Sequence, residues 1–147
     1  MAGFYGEYRH KLDAKNRLTL PAAIRKTLAE EDQLLIVPDP ESEVLSVYTA
    51  ESFEKWIDSI FEKRGGFDPN KREHMLLHSA LCGRATAVSL DNNNHITLQA
   101  ELRGKVGIDK DVTLVGMGNS GRFDIWDSAR REKFLEGIDL SALLYNA

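Results

Sequence analysis

The chain repeats itself. Residues 12–60 lie over residues 90–138 at a constant offset of 78, with no gap and 12 identities. "LDAKNRLTLPAAIRKTL" falls on "LDNNNHITLQAELRGKV", and "LSVYTAESFEKWIDSI" falls on "FDIWDSARREKFLEGI". Where identity fails, apolar character persists: Leu18/Ile96, Ile24/Leu102, Leu28/Val106, Leu34/Val112, Val47/Ile125, Tyr48/Trp126 and Trp56/Phe134. Both halves must therefore build the same elements. A half of roughly 50 residues is marginal for independent stability. Two of them in one chain imply an internal pseudo-dimer whose strands interleave around one shared core. The expected class is α+β and β-rich, with pseudo-twofold symmetry and flanking helices.

Each half has the same coarse plan. A strand (about 5–12, and 84–90) leads into a polar turn at 13–17 or 91–95, then a short strand at 17–20 or 95–98. Pro21 suits the first position of a helix, where its missing N–H costs nothing, and Ile24 and Leu28 give that helix an apolar stripe. "QLLIV" and "VLSVY" read as strands around the turn chemistry of "PDPESE", as do "VTLVGM" and "RFDIW" around "GNSG". Thr49 and Asp127 are expected N-caps of closing helices. Phe53, Trp56, Ile57, Ile60 and Phe61 face inward on the first helix, and Phe134, Leu135 and Ile138 on the second. A linking helix is expected over roughly 69–82, started by Asp68-Pro69. The domain reading is a first half at 5–63, a linking region at 64–83, a second half at 84–138 and a C-terminal tail at 139–147.

Charge separates the halves. The whole chain carries −4, which announces no nucleic-acid partner, yet residues 9–26 hold Arg9, Lys11, Lys15, Arg17, Arg25 and Lys26 against Asp13 alone. That segment sums to +5, and the remainder to −9. Binding to phosphate depends on the local field. The equivalent second-half segment, residues 87–104, sums to −1. In an extended segment, Lys15 and Arg17 would place their cations on one side, where arginine offers a bidentate fork and lysine a movable point charge. The plainer reading of the same turn is a solvated hairpin with an internal Asp13–Arg17 pair. On composition alone the plainer reading is favoured, since most charge clusters are only surface.

The residues "LDAKNRLTLPAAIR" resemble the L-D-x-K-G-R-h-x-h-P-x-x-h-R signature (h, hydrophobic) of the MraZ family. The surroundings agree over essentially the whole chain: "FYG" before the turn, a degenerate second copy after a linking helix, and "VTLVG…FDIWD" near the end. The resemblance implies an internally duplicated, AbrB/SpoVT-like swapped-hairpin β-barrel. It also implies a bacterial transcriptional regulator that binds short direct repeats in double-stranded DNA upstream of the division and cell-wall gene cluster, as a ring-like homo-oligomer. Carried over by position, Lys15 and Arg17 would contact DNA and Asp13 would brace the turn. Arg9 and Arg25 are further candidates from local charge.

The departures are informative. Asn16 stands where the signature has glycine, and asparagine is the commonest tolerable substitute if φ is positive there. The second turn reads Asp91, Asn92, Asn93, Asn94, His95, so lysine has become Asn93, arginine His95 and proline Gln99. The first half is expected to face DNA and the second to be mainly structural, although asparagines can read base edges.

Other features have humbler readings. His74, His78 and Cys82 recur at i, i+4, i+8 on the linking helix, but Met75 occupies the place of the metalloprotease glutamate. Packing explains the stripe, and no metal or cofactor is assigned. Cys82 is the only cysteine, which fits a reducing compartment. No apolar run approaches roughly 18 residues, and "MAGFYGEYRH" lacks signal-peptide order. A cytoplasmic, nucleoid-associated protein is expected. The apolar tail residues Leu140, Leu143, Leu144 and Tyr145 read either as a frayed end or as a short helix docking on a neighbouring subunit. No nucleophile–base set, phosphate loop or paired carboxylates support an enzyme. The alternative to a DNA-binding regulator is an oligomeric assembly protein that has lost strong DNA binding.

Overall fold

A computed structural model describes residues 3–28 and 33–146. The strands are β1 (Glu7–Lys11), β2 (Arg17–Thr19), β3 (Gln33–Asp39), β4 (Val44–Tyr48), β5 (Thr86–Ser89), β6 (His95–Thr97), β7 (Asp111–Gly116) and β8 (Arg122–Asp127). The helices are α1 (Ala22–Leu28), α2 (Ala50–Glu62), α3 (Arg72–Gly83), α4 (Ala100–Val106), α5 (Ser128–Glu136) and α6 (Leu140–Tyr145). Six strands form one antiparallel sheet in the order β1-β7-β8-β4-β3-β5, and β2 pairs with β6 in a separate ribbon.

Strand order shows the halves interleaved. β1 of the first half pairs with β7 of the second, and β5 of the second pairs with β3 of the first. The central seam is β4 on β8, where Ser46 faces Asp124. These two residues are 78 apart, as are Leu18 and Ile96, which face each other in the ribbon. Both pairs therefore lie on the pseudo-twofold axis. Each ladder in one half recurs in the other in the same register, so the duplication survives in space without a slip.

The core follows from that interleaving. Leu18, Leu20, Ile24, Leu34, Ile36, Leu45 and Val47 pack with Ile96, Leu98, Leu102, Val112, Leu114, Phe123 and Ile125 in one cluster. Neither half could assemble it alone. A second cluster lies between α2, α3 and the sheet, built from Val37, Tyr48, Phe53, Ile57, Phe61 and Leu81. Thr49 caps α2 with a reciprocal capping box to Ser52, which satisfies two otherwise orphaned donors.

Several expectations need correction. The described strands do not close into a barrel, because β1 and β5 end the sheet at opposite edges and β2–β6 pair only with each other. Pro21 is not the first helical residue; its carbonyl accepts the Arg25 N–H at 3.0 Å, so it stands just outside α1. The linking helix begins at Arg72, after Pro69 rather than at it. Phe134 and Leu135 are only partly covered: Phe134 packs on Trp126 with ring centroids 4.8 Å apart, yet the two remain 43% and 45% exposed on α5. The cause is a missing cover. In the first half α3 lies against α2 and Ile57 is buried, whereas α5 is followed by α6, whose own apolar residues are exposed.

Candidate nucleic-acid interface

The turn between β1 and β2 is set by one carboxylate. Buried Leu12 and Leu18 pin its two ends. Between them, Asp13 Oδ1 accepts the backbone N–H groups of Lys15 and Arg17, both at 2.9 Å, and Oδ2 accepts Arg17 Nε at 2.7 Å. The Asp13 N–H donates to the Arg17 carbonyl, and the Asn16 N–H to the Asp13 carbonyl. Asn16 takes φ +60°, the left-handed conformation that asparagine tolerates better than most side chains. The Arg17 N–H is the main reason the Asp13 carboxyl titrates below its ordinary value. Partial desolvation opposes this, and the Arg17 guanidinium and Lys15 N–H reinforce it.

This geometry revises the picture of two cations on one side of an extended segment. Lys15 lies in the turn itself and Asn16 reverses the local handedness, so strand alternation begins only at Arg17. The segment is not a hairpin either, since β1 and β2 pair with different strands. The Asp13–Arg17 pair of the plainer reading is present. It acts as a brace: it uses Nε and leaves the terminal guanidinium nitrogens without a hydrogen-bond partner among the described residues.

The second turn repeats the brace with different chemistry. Asp91 Oδ1 accepts the Asn93 and His95 N–H groups at 2.9 and 2.8 Å, and Asp91 Oδ2 lies 3.0 Å from His95 Nδ1. Asn94 takes φ +61°. The His95 N–H is the main cause of a lowered Asp91 carboxyl pKa, against some desolvation and with help from the Asn93 N–H and the imidazole.

The ribbon joins the two turns. Leu18 and Ile96 fill its inner face, both fully buried. Its outer face carries Arg17 opposite Thr97 and Thr19 opposite His95, so Arg17 and His95 are diagonal neighbours. The Leu20 N–H reaches the Asn94 carbonyl at 3.2 Å and the Leu98 N–H reaches the Asn16 carbonyl at 2.9 Å, which lashes each turn to the far end of the other strand. Thr19, Thr97 and His95 join Arg17 on this face without having been singled out as candidates. The identity Thr19/Thr97 across the repeat was the available signal.

The remaining basic candidates are dispersed. Arg9, on β1, is ion-paired with Glu132 of α5, and Lys11 lies 3.8 Å from Asp111. Lys15 and Arg25 are exposed, and neither forms an ion pair among the described residues. Arg103, the repeat counterpart of Arg25, is used internally: its Nε donates to the Leu98 carbonyl at 2.9 Å. His74 is buried, accepts the Asp68 N–H at 2.9 Å on Nδ1 and packs against Phe61 and Phe67. His78 packs on the same two rings. A groove of about 690 Å³ beside β1 is lined by Arg9, His10, Lys110, Asp111, Asp127 and Glu132. Its opposed charges partly neutralise one another. No described helix is long and apolar enough to cross a membrane.

Comparison with known proteins agrees with this organisation. The family model described as "MraZ protein, putative antitoxin-like" matches residues 4–74 and again 81–143, one match to each half. The protein named transcriptional regulator MraZ of Treponema denticola is 31% identical over 131 residues, covering 89% of this chain and 86% of its own. Its namesake from a Marinomonas species is 33% identical over 138 residues, covering 90% and 87%. That of Methylocella silvestris is 31% identical over 138 residues, covering 92% and 80%. The duplicated architecture, the carboxylate-braced turn and matches along nearly the full length converge, and the chain belongs to the MraZ family.

Proposed function

We propose that this chain is a transcriptional regulator that binds double-stranded DNA through the 13–17 turn and the outer face of the β2–β6 ribbon. The observation that carries the reading is the Asp13 brace. It holds Arg17 by Nε and the backbone while its terminal nitrogens and the exposed Lys15 remain available to an anionic partner. A two-stranded ribbon is of a width that the major groove admits. In this reading Arg17 provides a preorganised fork for phosphate or a guanine edge, Lys15 a mobile phosphate contact, and Arg25 a flanking charge. Arg9 contributes less, because Glu132 already holds it.

One such turn neutralises only a few phosphates, so a lone subunit binds weakly. A ring-like homo-oligomer on short direct repeats offsets this, since a seated subunit presents the next turn at high effective concentration. The repeats upstream of the division and cell-wall gene cluster are the targets implied by the family resemblance. The −9 carried outside residues 9–26 disfavours indiscriminate binding to DNA.

The test is fluorescence anisotropy with a duplex from the gene's own upstream region and a scrambled control, at two salt concentrations. A regulator shows sequence-dependent affinity with a steep negative salt slope. Replacing Lys15 and Arg17 by alanine weakens binding and reduces that slope by about 2. Unchanged binding in that variant assigns the contact elsewhere. The exposed apolar residues of α5 and α6 favour a second reading, an assembly protein without DNA affinity, which would show oligomers but neither sequence preference nor salt slope.

A further inference from the structure

The second turn has kept the whole brace while exchanging its arginine for a histidine. In the neutral imidazole one ring nitrogen donates and the other accepts. Asp91, an acceptor when ionised, accepts a hydrogen bond from Nδ1–H at 3.0 Å, which leaves Nε2 as a lone-pair acceptor. Among the described residues Nε2 has no hydrogen-bond partner, and it is not among the fully buried unpaired polar atoms; it keeps some contact with solvent on a side chain that is 19% exposed. An acceptor there has nothing to offer a phosphate. Adding a proton to Nε2 turns the same atom into a donor and gives the ring a positive charge.

We propose that His95 is a second DNA contact of the ribbon, made through Nε2 to a phosphate or base-edge acceptor and strengthened as the imidazole gains a proton. It rests on the DNA-binding reading above and adds a residue from the half with the degenerate motif. Position supports it: His95 is diagonal to Arg17 on the solvent-facing side of the ribbon. A ligand seated on one of them lies within reach of the other. The strands packed against β6 are β2 and β5. β2 brings one ionisable side chain, Arg17, which Asp13 balances, and β5 brings none. On its own turn His95 meets the Asp91 carboxylate. Histidine changes charge between about pH 5 and 8, so acidification adds a donor where Arg17 supplies one at every pH.

The experiment measures Kd for the upstream duplex at pH 5.5, 6.5 and 7.5 and fixed ionic strength, for the unaltered chain, His95→Gln and His95→Arg. The expected result is about tenfold tighter binding at pH 5.5 than at 7.5 for the unaltered chain, the gain typical of a charge-assisted hydrogen bond. His95→Gln flattens that slope and keeps the weaker affinity. His95→Arg flattens it at the tighter affinity, and its retained affinity shows that the turn still folds. Equal pH slopes in all three proteins overturn the inference while leaving the DNA-binding reading intact. Absence of sequence-dependent binding at every pH overturns the DNA-binding reading, and the inference with it.

Discussion

Ser46 Oγ donates to Asp124 Oδ1 at 3.0 Å, and these two residues are each other's counterpart in the repeat. They meet on the pseudo-twofold axis at the buried seam where the halves join. The symmetry is broken there chemically: one half supplies a hydroxyl, the other a carboxylate clasped by Arg122 at 2.9 and 3.0 Å. Asp124 is buried and the Arg122 side chain is 27% exposed. Removing one partner of such a pair leaves a poorly solvated charge. Asp124→Leu is therefore expected to cost about 2–3 kcal/mol of unfolding free energy. Ser46→Ala should cost about 1 kcal/mol. Urea unfolding of both variants checks the order. Equal, small effects would mean that the seam is held by its apolar neighbours alone.

The braced turns predict an acid limb in stability. Asp13 and Asp91 are held below their ordinary carboxyl value of 3.8. A group whose folded pKa is depressed binds fewer protons folded than unfolded near that value. Its contribution is complete above about pH 5 and is lost as pH falls from there through the lowered folded value. Asp13→Asn/Asp91→Asn should therefore melt with a shallower dependence on pH between 2 and 5 than the unaltered chain. Thermal melts across that range check the sign. A steeper limb in the double variant would contradict it.

Much of this was legible before any coordinates. The offset of 78 anticipated that the strands of one half recur in the other, and the equivalent ladders do share one register, because register in a buried sheet is dictated by which face is apolar. Thr49 and Asp127 announced their helices by capping chemistry. Partner choice was less legible: nothing local in "GEYRHK" says that β1 pairs with β7, since the pairing contacts lie about a hundred residues away. The open sheet followed from those choices. Phe134 and Leu135 misled because their spacing matches that of Trp56 and Ile57, and spacing does not report whether a covering helix exists. At the proposed site, Asp13, Lys15 and Arg17 were legible from charge and motif. The role proposed for His95 was hidden, because a charge tally counts histidine as nothing and cannot show it diagonal to Arg17.

Asn16 and Asn94 share a left-handed conformation. Both lie near φ +60°, which costs an L-residue other than asparagine or aspartate about 1–2 kcal/mol. Asn16→Gly should thus be nearly neutral or slightly stabilising, while Asn16→Val should lose about that amount and weaken DNA binding by misplacing Lys15 and Arg17. Chemical unfolding and the anisotropy titration measure the two effects separately. A valine variant with unaltered affinity would show that the turn's handedness does not position the contact.

The apolar surface of α5 and α6 predicts where copies of the chain meet. Leu140, Leu143 and Leu144 are each more than 60% exposed, and Phe134 and Leu135 on the preceding helix are 43% and 45% exposed. Burial by a second copy would account for apolar groups that the described residues leave uncovered. Replacing Leu140, Leu143 and Leu144 by serine should lower the oligomer mass read by light scattering. Unfolding of the isolated subunit should change by less than about 0.5 kcal/mol per site, because exposed positions contribute little to it. DNA affinity should fall in parallel, since one turn per particle lacks the multivalent gain. An unchanged mass places the subunit interface elsewhere. A large loss of subunit stability would mean instead that these leucines pack within their own chain.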